Sequence, residues 1–248
     1  MHPLPERRLY VAWRRPDRLI LQVGLLTQRA ADGEPRYEFV CLKLAEQHEE
    51  FTPLPGLPDL HRRYQSDQLF PVFANRQMPR ERPHYDAFVQ QLDLNAEADP
   101  FEVLARSEGH RATDRIEVFA APAVNEAGDL AALFFARGVR HVDGAADAIR
   151  VLAGGHDLEL QPESMNRVNG RAMLLNSRTG RPVGYAPDYL LDTISDLRSV
   201  DLTSVRVSVE HVNPPESAPH MRLLCRLTSP WPDGYEPLPG PDFLPLAG

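Results

Sequence analysis

The segment FFARGVRHVDGAADAIRVLAGGHDLELQPESMNRVNGRAMLLNSRTGRPVGYAPDYLLDTISDL, Phe134 to Leu197, decides the fold. Its head belongs to the apolar run Leu130 to Ala136, the mark of a buried strand. Ala145, Ala148, Ile149 and Leu152 fall on one helical face, and Gly154-Gly155 predicts the end of that helix. Leu158 and Leu160 alternate with Asp157 and Glu159, as in a half-buried strand. Arg171–Asn176 and Arg181–Tyr185 flank the turn-rich Ser177–Gly180 and predict a hairpin. Asp188, Leu190, Ile194 and Leu197 have the spacing of an amphipathic helix with Asp188 as its N-cap. Within the segment, Ser164 to Pro187 holds Arg167, Arg171, Arg178 and Arg181 and no acid.

Outward from this segment the pattern stays mainly β. Val205, Val207 and Val209 alternate with Arg206, Ser208 and Glu210, and Met221–Leu227 reads as a further strand. The proline-rich stretch from Pro230 predicts an extended arm. Toward the N-terminus, Leu9–Trp13, Leu19–Thr27 and Arg36–Leu44 have strand composition, separated by Arg15-Pro16-Asp17 and Ala31-Asp32-Gly33. Asp32-Gly33 is a hairpin signal. Pro53, Pro55 and Pro58 forbid a central strand there. Tyr85, Phe88, Val89 and Leu92 follow Pro83 at helical spacing, and Phe101, Leu104 and Ala105 follow Pro100 in a shorter stripe. Ile116–Ala120 returns to strand character, and a boundary between two domains is expected near Pro122–Asp129, where Asn125–Asp129 is a polar turn.

Composition narrows the class. A chain of 248 residues, 42% hydrophobic and 25% charged, can bury the core of one large or two small domains. The run Leu130 to Ala136 is its longest unbroken apolar stretch, far short of the roughly 20 residues of a membrane span. No signal peptide is expected at the N-terminus, since Arg14 and Arg15 interrupt the short apolar Leu9–Trp13. Two cysteines, Cys41 and Cys225, cannot build a disulfide scaffold, so a cytoplasmic protein is expected. The net charge of −8 excludes a protein coated in positive charge. Of 27 basic residues all but Lys43 are arginines. A GC-rich genome explains that ratio, and the side chain also suits bidentate phosphate contact.

Catalytic and cofactor motifs are missing from the sequence. It has neither GxGxxG nor GxxxxGK[ST], the glycine patterns that open a helix toward a phosphate. HExxH, CxxC and HxH are missing too, and the nine histidines are scattered. The hydrolase elbow GxSxG does not occur. We therefore expect no enzyme activity, no cofactor and no metal site.

Phe134 to Leu197 resembles a HIRAN domain, a small β-barrel module of certain Swi/Snf-type remodelling enzymes and of stand-alone bacterial proteins. The pieces come in order: the RGxRH start (Arg137, Gly138, Arg140, His141), the L-x-L-x-x-E strand (Leu158, Leu160, Glu163), the asparagine loop before Ala172 (Asn166, Asn169), and G-Y-x-P (Gly184, Tyr185, Pro187). The resemblance implies an OB-like barrel whose rim takes single-stranded or 3′-end DNA. By position it assigns the contact residues Arg140, His141, Asn166, Asn169 and Tyr185, to which the cationic window adds Arg171. Two positions depart from the family pattern. Val168 stands for the loop aromatic, and Asn169 for the acid that receives a terminal 3′-hydroxyl, so strict 3′-end recognition does not carry over. On their own chemistry these residues have other readings: Arg140 and Arg171 as solvated cations, His141 as a satisfied half-buried histidine, Asn166 and Asn169 as turn formers, Tyr185 as core.

The first 120 residues resemble the small N-terminal subdomain of HipA-type toxin kinases. The pieces are VGxL (Val23, Gly24, Leu26), Y-x-F (Tyr37, Phe39), Leu69 to Pro79 and Asp99 to Gly109. The kinase core does not follow, which implies a cap or an antitoxin-like regulator of a partner kinase. An unrelated α+β domain is the other reading.

The expectation is an α+β protein: a HipA-like domain over 1–124, mostly antiparallel sheet plus helices, a HIRAN-like β-barrel with short helices over 125–229, and a proline-rich arm over 230–248. Its expected function is non-catalytic binding of nucleic acid, single-stranded or end-containing DNA, in DNA repair or defence against foreign DNA. The alternative is a protein partner docking on residues 1–124. No membrane association is expected. The acid-free arginine window is expected to form a cationic ledge.

Overall fold

In the computed structural model, residues 6–17, 19–31, 33–111, 114–232, 234–235, 238 and 240–247 are described. The chain forms two compact units. One gathers Met1–Gln90, Leu94–Ala121 and Leu238–Gly248, the other Gln91–Asp93 and Pro122–Pro237. Both are built on antiparallel sheets with short helices.

The first unit contains β1 (Arg7–Arg14), β2 (Ile20–Ala31), β3 (Glu34–Cys41), α1 (Lys43–Glu46), β4 (Tyr64–Ser66), α2 (Pro71–Ala74), α3 (Tyr85–Gln91), α4 (Pro100–Ser107) and β5 (Ile116–Ala120). Its sheet has the order β4-β3-β2-β1-β5. Leu9, Val11 and Trp13 alternate into a core shared with Val23, Leu26, Phe39 and Phe73. Gly24 is required by packing: a Cβ there would sit 2.5 Å from the Phe39 ring. β2 and β3 form the expected hairpin, with Gly33 at φ 85°; Asp32 lies outside the described residues. Asp99 caps α4, its carboxylate accepting from the backbone N–H of Phe101 and Glu102, and Phe101 and Leu104 are buried. The stretch expected as a C-terminal arm is divided. From Leu238 it belongs to this unit, where the Leu246 N–H donates to the Cys41 carbonyl (2.8 Å) and the Lys43 N–H to Leu244 (3.0 Å).

The second unit contains β6 (Ala123–Val124), β7 (Asp129–Phe135), α5 (Ala145–Arg150), β8 (Asp157–Pro162), β9 (Met173–Ser177), β10 (Pro182–Tyr185), α6 (Leu191–Val200), β11 (Arg206–Val212) and β12 (Leu223–Pro230). The order is β10-β9-β8-β11-β12-β7-β6. Alternation on β11 is as read, with Val207 and Val209 buried. Asn125–Asp129 is a turn within the β6–β7 hairpin, its Asn125 Oδ1 accepting from Ala127 N and Asp129 N at 2.9 Å each.

Three expectations need correction here. The sheet is not a closed barrel. Past the end of β7, Arg137 meets Tyr185 of β10 in an isolated bridge (N–H···O 2.8 and 2.9 Å), and among the described residues no ladder closes the ring. The helix before Gly154-Gly155 stops at Arg150, and the glycines lie in the following turn. Asp188 is no helix cap: it opens a 3-10 turn (Asp188–Leu190) ahead of α6, and its carboxylate is engaged elsewhere. Cys41 and Cys225 are buried free thiols, and burial pushes the Cys41 thiol up to about 11. Among the described residues no helix is long and apolar enough to cross a membrane.

Candidate nucleic-acid interface

The β9–β10 hairpin has two ends, and the candidate residues gather at its base. There the loop Ser164–Arg171 enters β9, Tyr185 ends β10, and the turn Arg137–His141 crosses β10 at the bridge. Two glycines permit that crossing. A Cβ on Gly184 (φ 145°) would lie 2.8 Å from the Arg137 carbonyl oxygen. One on Gly138 (φ 67°) would lie 3.1 Å from the Tyr185 ring. The glycines of RGxRH and G-Y-x-P thus serve one close approach of backbone to backbone.

The loop is braced by its two asparagines. Asn166 Oδ1 accepts from the N–H of Val168 (2.9 Å) and Asn169 (3.1 Å), while Nδ2 donates to Glu163 Oε2 at 2.6 Å. Asn169 Oδ1 accepts from Arg171 N (2.9 Å), and Nδ2 donates to Asp188 Oδ1 at 3.1 Å. Tyr185 donates its hydroxyl to the same Glu163 Oε2 at 2.8 Å. Burial, and after it the bond to and charge of Glu163, raise the Tyr185 pKa. Backbone bonds Glu163 N–H to Ala172 O and Ala172 N–H to Asn169 O, both 2.9 Å, close the neck of the loop.

Bracing turns other side chains outward. Met165 is 89% exposed and Val168 56%. Arg167 between them is exposed and, among the described residues, has no acid partner. On the neighbouring turn Arg140 and His141 are exposed, Arg140 Nε donating to His141 Nε2 at 2.9 Å. Among the described residues Arg140 likewise has no acid partner.

The candidate set therefore comes together in part. Gly138 beside the Tyr185 ring, Tyr185 and Asn166 on Glu163, and Asn169 on Asp188 form one chain of contacts. The amides of Asn166 and Asn169 are engaged by backbone N–H groups of the loop and by the carboxylates of Glu163 and Asp188, so both residues brace the loop. Arg171 lies at the loop's end, ion-paired with Asp192 of α6. The expected cationic ledge is corrected by the same contacts. Free of acid in sequence, the window meets Glu163, Asp188, Asp192 and, at the hairpin tip, Asp157, which pairs with Arg178. Met165, Arg167 and Val168 were not among the sequence candidates. The signal available for them was an apolar–cation–apolar run inside an asparagine-flanked loop.

No protein-family model matches the chain, and no curated protein matches it. Solved structures do. A protein from Lactobacillus plantarum matches at 22% identity and a TM-score of 0.32, covering 41% of this chain and 99% of its own. The HIRAN domain of human HLTF matches at 16% identity and a TM-score of 0.32, covering 42% of this chain and 81% of its own.

Proposed function

We propose that the second unit is a non-catalytic nucleic-acid-binding module that takes single-stranded or end-containing DNA at the base of the β9–β10 hairpin. The observation that carries this reading is the braced loop: Asn166 and Asn169 hold it with Met165, Arg167 and Val168 exposed, and the turn that carries the exposed pair Arg140 and His141 is bridged at Arg137 to Tyr185, which bonds the loop's Glu163. Single-strand sites combine cations for the backbone with side chains on which bases rest. Here Arg167 and Arg140 supply the cations, and Met165 with Val168 the apolar surface against an unpaired base. A loop ordered before binding loses less conformational freedom when the strand arrives. Tyr185, held by Glu163, supports the loop from below.

Electrostatics limits the strength. With Arg171 and Arg178 paired on a chain of net charge −8, the two cations of the hairpin base, Arg167 and Arg140, give a salt slope of about −1.4 for single strands. Binding is therefore weak and rests more on the apolar contact than on phosphate. Repair or defence against foreign DNA in the cytoplasm is the setting we propose.

Fluorescence anisotropy of a labelled single-stranded deoxyoligonucleotide tests this. The double variant Met165→Ser, Val168→Ser should lose affinity several-fold with its salt slope unchanged. Wild-type affinity in that variant, or no saturable binding by wild type at low salt, would overturn the reading. The same titration with RNA of equal sequence, and with a blunt duplex, identifies the strand type.

A further inference from the structure

The first unit contains a cavity of about 530 Å³, within the range of small-ligand sites. Its walls are apolar and stiff: Trp13, Leu54 and Ile116 with Pro53, Pro55 and Pro71. Prolines fix φ, so this wall does not have to be ordered by a ligand. Arg76 sits in the lining with its side chain only 4% exposed. Its guanidinium is held by Asp114 (2.6 and 3.1 Å) and by the carbonyls of Gly109 (3.0 Å) and Ile116 (3.2 Å), so this charge is already balanced. Arg111 and Arg115 also line the cavity, are exposed and, among the described residues, have no acid partner. Glu50 is the remaining acid of the lining. The lining therefore combines an apolar interior with an excess of unpaired guanidinium.

We propose that this cavity binds a small amphipathic anion, an apolar body carrying one carboxylate, with the body against Trp13 and the prolines and the carboxylate on Arg111 and Arg115. Guanidinium suits that head group because its planar fork matches a carboxylate's two oxygens. A neutral ligand of the same shape would leave both arginines unused, and a polyanion would have no use for the apolar wall. This proposal concerns the first unit alone and stands independently of nucleic-acid binding.

The test uses Trp13 as reporter. The full chain carries two tryptophans, so Trp231→Phe leaves Trp13 alone. Titrating that variant with decanoate below its micellar range should change the fluorescence saturably. In Trp231→Phe, Arg111→Ala, Arg115→Ala the decanoate dissociation constant should rise about tenfold or more, while decanol binds equally to both variants. Both arginines are exposed, so the substitutions leave the fold intact, and a thermal melt checks this. Absence of a saturable change, or decanoate binding untouched by the arginine substitutions, overturns the proposal.

Discussion

The two ends of the β9–β10 hairpin carry similar residues and differ in what surrounds them. Both ends have arginines, and both have glycines with positive φ. At the base, Glu163 and Asp188 receive the amides of Asn166 and Asn169 and the hydroxyl of Tyr185, and the loop so braced presents Arg167 with no acid partner among the described residues. At the tip, Ser177–Gly180, Asp157 faces Arg178 directly. The base uses its carboxylates to build a surface, and the tip uses its carboxylate to balance one. Arg181 and Tyr185 bound a strand that spans only about 13 Å. Within that length the same composition gives two different surfaces.

The largest effect expected from this contrast is on stability. Gly184→Ala brings a Cβ to 2.8 Å from the Arg137 carbonyl at φ 145°, and should destabilise the second unit by about 3 kcal/mol. Gly180→Ala at the tip, with φ 73° and open space around it, should cost only about 1 kcal/mol. Urea denaturation of both variants ranks them. Equal costs would mean that the crossing of Arg137 over β10 is not a constraint.

Next in size are the carboxylates. Glu163→Ala leaves the Tyr185 hydroxyl and the Asn166 amide without their shared acceptor, at about 1.5 kcal/mol. Asp157→Ala removes an ion pair whose partners are 74% and 52% exposed, and should change stability by no more than about 0.5 kcal/mol. Denaturation midpoints of the two variants give the comparison, and a larger loss for Asp157→Ala would reverse it.

A smaller effect follows from pH. The folded state raises the Tyr185 pKa, through burial first and Glu163 second. The neutral phenol is therefore favoured by folding. That contribution is whole below the unfolded value of about 10, and is lost as pH rises through the folded value. Wild type should lose stability more steeply than Tyr185→Phe between pH 9 and 11, and parallel curves would show that Tyr185 contributes nothing to the slope. Tyr10 and Tyr235 are raised as well, so the comparison has to be with the Tyr185 variant rather than with neutral pH alone.

The elements of this fold were readable where local chemistry dictates them. Alternation marked β8 and β11, Ser177–Gly180 marked the hairpin, and Pro100 ahead of the stripe Phe101, Leu104 and Ala105 marked α4. Closure was not readable. Whether strands form a ring depends on the contact of Arg137 with Tyr185, residues far apart in sequence that meet in a single bridge. Asp188 misled for a related reason: its position suits a helix cap, while its carboxylate is taken by Asn169 from another loop. The acid-free window was the most consequential difference, because counting charges along a chain cannot include the acids that neighbouring strands and helices bring. Asn166 and Asn169 were visible as special residues, but whether they contact a ligand or build the loop is decided only by where their amides point.

The central claim is that the base of the hairpin, and not its tip, meets nucleic acid. The direct measurement is the salt dependence of single-stranded oligonucleotide binding for wild type, Arg167→Ala, Arg140→Ala and Arg178→Ala. Removing a phosphate contact lowers the slope by roughly 0.7. We expect that decrease for Arg167→Ala and for Arg140→Ala, and an unchanged slope for Arg178→Ala. A decrease confined to Arg178→Ala, or four identical slopes, would contradict the account.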